Sequence, residues 1–561
     1  MTERHNVTDD WKGSLLAGTL VVLLLLPFLS KPVNIDETTY IWIAKQILNN
    51  PLKPYAFDAN WFGFQQPMAS ISQSPPLVSY YLAVIGALFG WHETVLHLAF
   101  LLPAFFLVTG IYRLTVLLGP APGLAIWLAI LSPAMLVSAT SLMLDVTMLA
   151  FYVWAIFFWI KSYDYAPGYN RGMFCLLACL AILTKYFAVT LIPLGAAFSV
   201  MKNKRIRFAE LLWLCVPLIF LLCFEAVNAA LHDWGHFTGA FSFLLARGSA
   251  TFEIFGKIVT GMIFLGGSTV HLLLMAPLMW SGKSSFAWIG SVPLAGICFL
   301  ALGGLEETAL FDLYAKDTGT AMFTALLFVS GVHVVLLSFF NTLYEKSPVS
   351  ILLLLWVAGT IVFSLFVNWA ITTRTLLPAL PPIAILAAQR IGRRERPGNQ
   401  LQRYWKWSAI FLSMFLAVVV THSDFNDADS QKRAAGKIMD RFDSEDNSVW
   451  FQGHWGFQHY METQGARAFD FRKPEVVAGD IVVVPLNNTN VHHLPTPPYT
   501  VVARLKIDKG RWLTLMDYTL RVGFHTGQIG GLPYYFGRIQ KDEYVIYRLL
   551  QEPGFRPGGE K

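Results

Sequence analysis

The chain has 561 residues, 55% of them hydrophobic and only 14% charged. A soluble domain carries about 25% charged residues, so this balance excludes an ordinary soluble protein. The net charge of +6 is concentrated in short clusters between apolar runs, a topology signal that does not suggest a nucleic-acid partner.

Apolar runs recur from Ser14 to about Val420. A span needs roughly 20 apolar residues, and lipid leaves helices as the default way to satisfy the backbone. The first run, 15–29, has weak basic flanks (Arg4, Lys12) and no small-residue cleavage site, so it reads as a retained span. Asp36 and Glu37 follow it. The run 75–90, with Tyr80, Tyr81, Phe89 and Trp91 in or beside it, reads as interfacial or re-entrant. Spans are then predicted at 94–112, 124–137, 146–160, 173–184 and 191–201. Seven more follow at 211–228, 258–280, 286–303, 321–340, 351–367, 376–388 and 408–421. The expected fold is an all-α polytopic membrane domain of about 13 transmembrane helices, followed by a small extracytoplasmic β-rich or α/β domain. Residues 1–423 form the first, with outer-face loops 31–93 and 229–257, and 424–561 the second. Short alternating runs beginning at Ile481, Tyr499 and Glu543 supply the expected strands. All five cysteines lie in apolar runs, where packing explains them better than metal.

Two basic clusters fix the cytoplasmic side. One holds Lys202, Lys204, Arg205 and Arg207; the other runs through Arg390, Arg393, Arg394, Arg396, Arg403 and Lys406. Counting spans from them, with 75–90 not crossing, gathers Asp36, Glu37, Tyr40, Asp145, Lys185, Arg247 and Arg374 on the outer face. Ionisable groups at a bilayer surface are costly to desolvate and point to function. Cations can neutralise a lipid phosphate, and a carboxylate can take a proton from an attacking hydroxyl. Each position also has a plain structural explanation. Asp36 and Glu37 could cap the helix that begins at Thr38, and Asp145 the next span. Lys185 could snorkel, and Arg247 could be solvated in its loop. Arg374 opposes the dipole of the helix it opens, so stabilising that helix explains it poorly.

These residues resemble a family. Asp36-Glu37 with Tyr40 one turn on, Ser74-Pro75-Pro76-Leu77 before an aromatic run, Ser132-Pro133, and Asp145 leading a span are the first pieces. Leu183-Thr184-Lys185, the loop from His236-Phe237 to Arg247-Gly248, and Arg374-Thr375-Leu376-Leu377-Pro378 complete them. Their order resembles the polyprenyl-phosphate-dependent GT-C glycosyltransferases, which include protein O-mannosyltransferases and bacterial aminoarabinose transferases acting on lipid A. The likeness covers roughly residues 14–390.

The resemblance implies a multi-pass enzyme of the cell (inner) membrane, working at its outer face. It would move a sugar from a polyprenyl-phosphate carrier to a hydroxyl of a lipid, glycan or protein acceptor. Asp36 matches the family's catalytic acid, Glu37 is its neighbour, and Asp145 matches a second acid. Tyr40, Lys185, Arg247 and Arg374 fall where donor-phosphate contacts are expected. Relatives often carry His, or Glu-Lys, before the Pro-Pro pair; here Gln73-Ser74 stand there, which removes a phosphate or metal contact. A divalent cation is thus left open and not firmly implied. The histidines at 454, 459, 492 and 493 fit no zinc spacing. The expected reaction is an inverting direct displacement with Asp36 as base, and no P-loop accompanies it. A transporter or flippase of an anionic lipid or solute is the alternative, although transport favours ionisable groups at mid-bilayer and repeated halves. A non-catalytic sensor would leave the charges at span ends unexplained.

Overall fold

The computed structural model describes residues 10–232, 254–280, 318–443, 448–494, 499–527 and 529–550, with a few positions between 235 and 242. Among them, eight helices are long and apolar enough to cross a membrane, or ten with two bent pairs each taken as one span. The expected number of about 13 is therefore not reached. The run 286–303 lies outside the described residues, and 173–184 and 191–201 fall in helices Pro167–Thr184 and Leu191–Asn203, which are not among those ten.

Two expected straight spans are broken. Pro122–Ile130 and Pro133–Ala139 meet at 71°. Ser132 caps the second segment by accepting from Met135 N, and Pro133, lacking an N–H, starts a helix but cannot continue one. The other pair, Gly256–Thr269 and His271–Met279, bends by 81°. There Ser132 Oγ donates to Ser268 O and Tyr534 Oη to Gly267 O, so carbonyls at the break are satisfied by side chains.

The run 75–90 forms helix Leu77–Phe89. Its 13 residues span about 20 Å, short of the ~30 Å hydrocarbon core. It packs on helix Glu37–Asn49 and leaves Val84, Leu88 and Phe89 exposed, as the interfacial reading expects.

Helix Gln400–Phe442 runs 43 residues without a break through the expected boundary at 423. At about 65 Å it is twice a span. Its apolar first half packs in the membrane domain, while Asp424, Asp427, Ser430 and Ala434 of its second half are buried. Beyond it lies a five-stranded mixed sheet in the order Arg467–Ala468, Val449–Phe451, Ile481–Pro485, Asp542–Leu549, Tyr499–Ile507. Val449–Phe451 pairs in parallel with both neighbours, and Asp542–Leu549 antiparallel with both of its own. Helix Trp455–Thr463 makes the crossover, so the tail is α/β, one of the two expected forms.

The tail is stitched to the membrane domain at many points. Val33 N donates to Tyr460 Oη at 2.8 Å. Thr38 Oγ1 donates to the Trp455 carbonyl at 3.0 Å, and Gln458 Nε2 to the Asn60 carbonyl at 2.8 Å. Thr373 N donates to Phe524 O at 3.2 Å.

Candidate functional site

Where tail and membrane domain meet, a cavity of about 400 Å³ opens, within the usual range of ligand pockets. Asp36, Tyr40, Asp145, Lys185 and Arg374 all line it. Five expected residues spread over 338 positions thus share one wall.

Asp36 precedes helix Glu37–Asn49 at its N-cap, yet its side chain caps nothing. Its Oδ2 accepts from an Arg374 terminal nitrogen at 3.2 Å, which removes the capping explanation. The approach is tight: Ile35 takes φ +50°, a left-handed value that a β-branched residue adopts only under constraint. Ile35 N donates to Asn34 Oδ1, and Asn34 N to Glu37 Oε2, each at 2.9 Å. These bonds hold the turn that aims Asp36 at the cavity.

Glu37 is not brought to the cavity. Its carboxylate is buried and accepts from Asn34 N and from Leu142 N, both at 2.9 Å. It ties the first loop to the loop before Asp145. Burial pushes its carboxyl up to about 7, against the opposing pull of Lys31 and the two backbone donors. Neighbouring acids in sequence separate here because successive helical residues point about 100° apart.

Asp145 stands in the first turn of helix Leu144–Lys161, whose N-cap Met143 makes no side-chain cap. Its Oδ1 accepts from Lys185 Nζ at 2.6 Å. Lys185 sits in extended backbone between helix Pro167–Thr184 and the turn Tyr186–Thr190, a break that frees it to reach back. Exposure divides the labour. The Asp145 side chain is 3% exposed and Lys185 27%, while Asp36 is 37% exposed and Arg374 13%. Asp36 is the carboxylate open to the cavity, and Asp145 is the buried anchor of a cation that is open to it.

Arg374 is fixed from three sides. Thr372 and Thr375 form a capping box around its turn. One terminal nitrogen reaches both Asp36 and the His525 carbonyl, the latter at 3.0 Å. Its Nε is buried and has no partner among the described residues, so a donor is left for an anion. Tyr40 is buried, its phenol pushed above its ordinary value by burial, so it meets the cavity as a neutral hydroxyl. Arg247 lies outside the described residues, as does His236.

Sequence reasoning missed most of the tail's share. His454, Trp455, Thr489, Asn490, His525 and Thr526 complete the wall. His454 Nε2 meets Thr489 Oγ1 at 2.8 Å, and Asn490 Nδ2 donates to the Trp61 carbonyl at 3.1 Å. Burial lowers His454 to about 3, so it is neutral. Trp455 takes φ +66°. No local pattern marks these residues, since long-range docking alone gives them their place. Among the described residues no group of three or more His, Cys, Asp or Glu is placed to hold a metal ion.

No family model and no curated protein matches the sequence. Among solved structures the chain is similar to ArnT from Cupriavidus metallidurans in the apo state, at 16% identity and TM-score 0.43, over 80% of this chain and 84% of that one. It is similar to the same protein bound to undecaprenyl phosphate, at 14% and 0.42, over 84% and 93%. It is also similar to the archaeal oligosaccharyltransferase AglB from Archaeoglobus fulgidus, in complex with an inhibitory peptide and a dolichol-phosphate. There the identity is 13% and the TM-score 0.46, over 80% of this chain and 63% of that one.

Proposed function

We propose that this chain is an integral-membrane glycosyltransferase of the polyprenyl-phosphate-dependent GT-C type, with the cavity at the tail as its active site. The observation that carries the reading is the meeting of Asp36, Asp145, Lys185 and Arg374 around one cavity, together with the order of motifs that resembles that family. The cavity lies on the outer face of the cell membrane, and the tail is extracytoplasmic.

The donor's phosphate sits between Lys185 and the free Nε of Arg374, and Tyr40 donates a third bond. These groups are stronger partners for the doubly charged leaving phosphate than for the bound diester, which is where catalysis gains. Asp36 accepts the proton of the acceptor hydroxyl as its oxygen bonds to the anomeric carbon. The bond from that carbon to the phosphate oxygen breaks, polyprenyl phosphate departs with the electron pair, and the configuration inverts. Asp145 acts through Lys185 and is a positioning residue. The acceptor is a hydroxyl of a lipid, glycan or protein, admitted from the tail side.

Asp36→Asn is expected to lower sugar transfer from a radiolabelled polyprenyl-phosphate donor by about 100-fold or more, with expression and melting temperature kept. Near wild-type turnover in that variant would remove Asp36 as base. Arg374→Ala is expected to weaken donor binding by about 10–100-fold; an unchanged affinity would take Arg374 out of the phosphate site.

A further inference from the structure

Behind the cavity wall lies a chain of buried groups that the proposed reaction does not use. Lys31 and Asp424 form an ion pair through Asp424 Oδ2, and both are almost fully buried. The other oxygen, Oδ1, meets His525 Nε2 at 2.7 Å. His525 is itself buried, belongs to the cavity wall, and lends its carbonyl to Arg374.

The chemistry of this row fixes the ring's tautomer. A carboxylate paired with lysine only accepts, so Nε2 carries the proton and donates it. Burial pushes the imidazole below its ordinary value, with Arg374 and Lys31 adding to the effect against Asp424, so the ring is neutral. Nδ1 then bears a lone pair. That atom is buried and has no partner among the described residues. A buried acceptor left unpaired is unfavourable by about 1–3 kcal/mol unless something fills it. A second such acceptor stands in the same wall: Gln73 donates its Nε2 to the Ala69 and Ser70 carbonyls, and its Oε1 is buried and unpaired.

We infer that His525, held by Asp424, is a hydroxyl-binding residue of the cavity, its Nδ1 accepting a hydrogen bond from a hydroxyl of the carried sugar or of the acceptor. The inference rests on the glycosyltransferase reading and extends it, because it gives the tail a direct part in substrate binding. Anchoring by Lys31 and Asp424 supplies what an isolated histidine lacks: a fixed ring plane and a fixed tautomer.

Two variants separate a ligand role from a structural one. In His525→Gln the side-chain amide reaches the Nε2 position and still bonds Asp424, but nothing stands at Nδ1. In His525→Asn an oxygen can stand near Nδ1, while the Asp424 bond is lost. The probes are radiolabelled polyprenyl-phosphate mannose and aminoarabinose for transfer, and polyprenyl phosphate with and without sugar for binding. His525→Gln is expected to keep its melting temperature and lose transfer by about 3–10-fold, the worth of one neutral hydrogen bond. His525→Asn is expected to be less stable yet more active than His525→Gln. If the bonded hydroxyl is the sugar's, His525→Gln binds the sugar-bearing lipid more weakly and bare polyprenyl phosphate as wild type does. If it is the acceptor's, both lipids bind normally and only transfer slows.

Native transfer by His525→Gln, or activity that simply follows stability across the two variants, overturns the inference. So does an equal loss of both lipids, which would mark a disturbed phosphate site. In each of these cases Asp36→Asn still reports on the enzyme reading separately. A wild-type chain that releases sugar from neither donor takes both readings down together.

Discussion

At the scale of single residues, adjacency in sequence and adjacency in function part company. Asp36 and Glu37 are neighbours, yet one opens to the cavity and the other clamps two loops from within. The clamp makes stability depend on pH. Glu37 is raised from 4.5 to about 7, so the folded state binds its proton more tightly than the unfolded chain. Its contribution is fully present below about pH 4.5 and is lost as pH rises to about 7, roughly 3 kcal/mol in all. Glu462 titrates in the same window, so the measurement is a difference. The melting-temperature gap between wild type and Glu37→Gln should narrow or reverse between pH 4.5 and 7. A gap independent of pH would show that Glu37 is not titrating there. The acids themselves were legible in sequence, because a carboxylate beside an apolar run is conspicuous. Which of the two faces the cavity was not, since that depends on the strained turn at Ile35.

At the scale of elements, close helix contact decides what sequence periodicity cannot. Helices Ile254–Thr269 and Thr318–Glu345 cross with glycines at the contact. A Cβ on Gly266 would stand 1.6 Å from the Leu327 carbonyl oxygen, and one on Gly331 2.1 Å from that of Met262. Such small-residue contacts let helix backbones touch in lipid, where no hydrophobic effect drives association. Gly266→Ala or Gly331→Ala must push the helices apart and is expected to lower stability by about 1–3 kcal/mol. Gly359, with nothing within 4 Å, is the control: Gly359→Ala should leave the melting temperature unchanged or raised. Equal tolerance at all three positions would refute the packing. Two of the expected spans are bent for a reason that hydropathy does not register. Hydropathy registers apolar length, but a bend at Ser132-Pro133 or near Val270 leaves that length unaltered. The short helix at 77–89 was expected not to cross because of its aromatics and the sidedness of the charges around it, and its 13 residues are too few for a full span.

At the scale of the whole molecule, the tail is part of the cavity wall, held there by buried charge. Lys509, 1% exposed, pairs with Asp517 at 3.0 Å and Asp542 at 2.9 Å. Asp427 of the long helix lies in the same cluster, while its Oδ2 accepts from Leu515 N at 3.0 Å. Lys509→Met leaves buried carboxylates without their cation and is expected to destabilise by about 3–5 kcal/mol, with transfer falling as the tail loosens. The exposed pair of Arg504 with Glu543 is the contrast, and Arg504→Ala should stay within about 1 kcal/mol. Comparable melting temperatures for the two variants would show that this cluster does not hold the tail. By itself the sequence determined the membrane class, the presence of strands in the tail, and five of the residues that share the cavity, because hydropathy, alternation and misplaced charge are local properties. Only the tertiary structure decided that Glu37 turns inward, that Asp145 anchors Lys185, and that His454, Trp455 and His525 close the cavity. Those outcomes follow from contacts between segments hundreds of residues apart, and no local pattern encodes them.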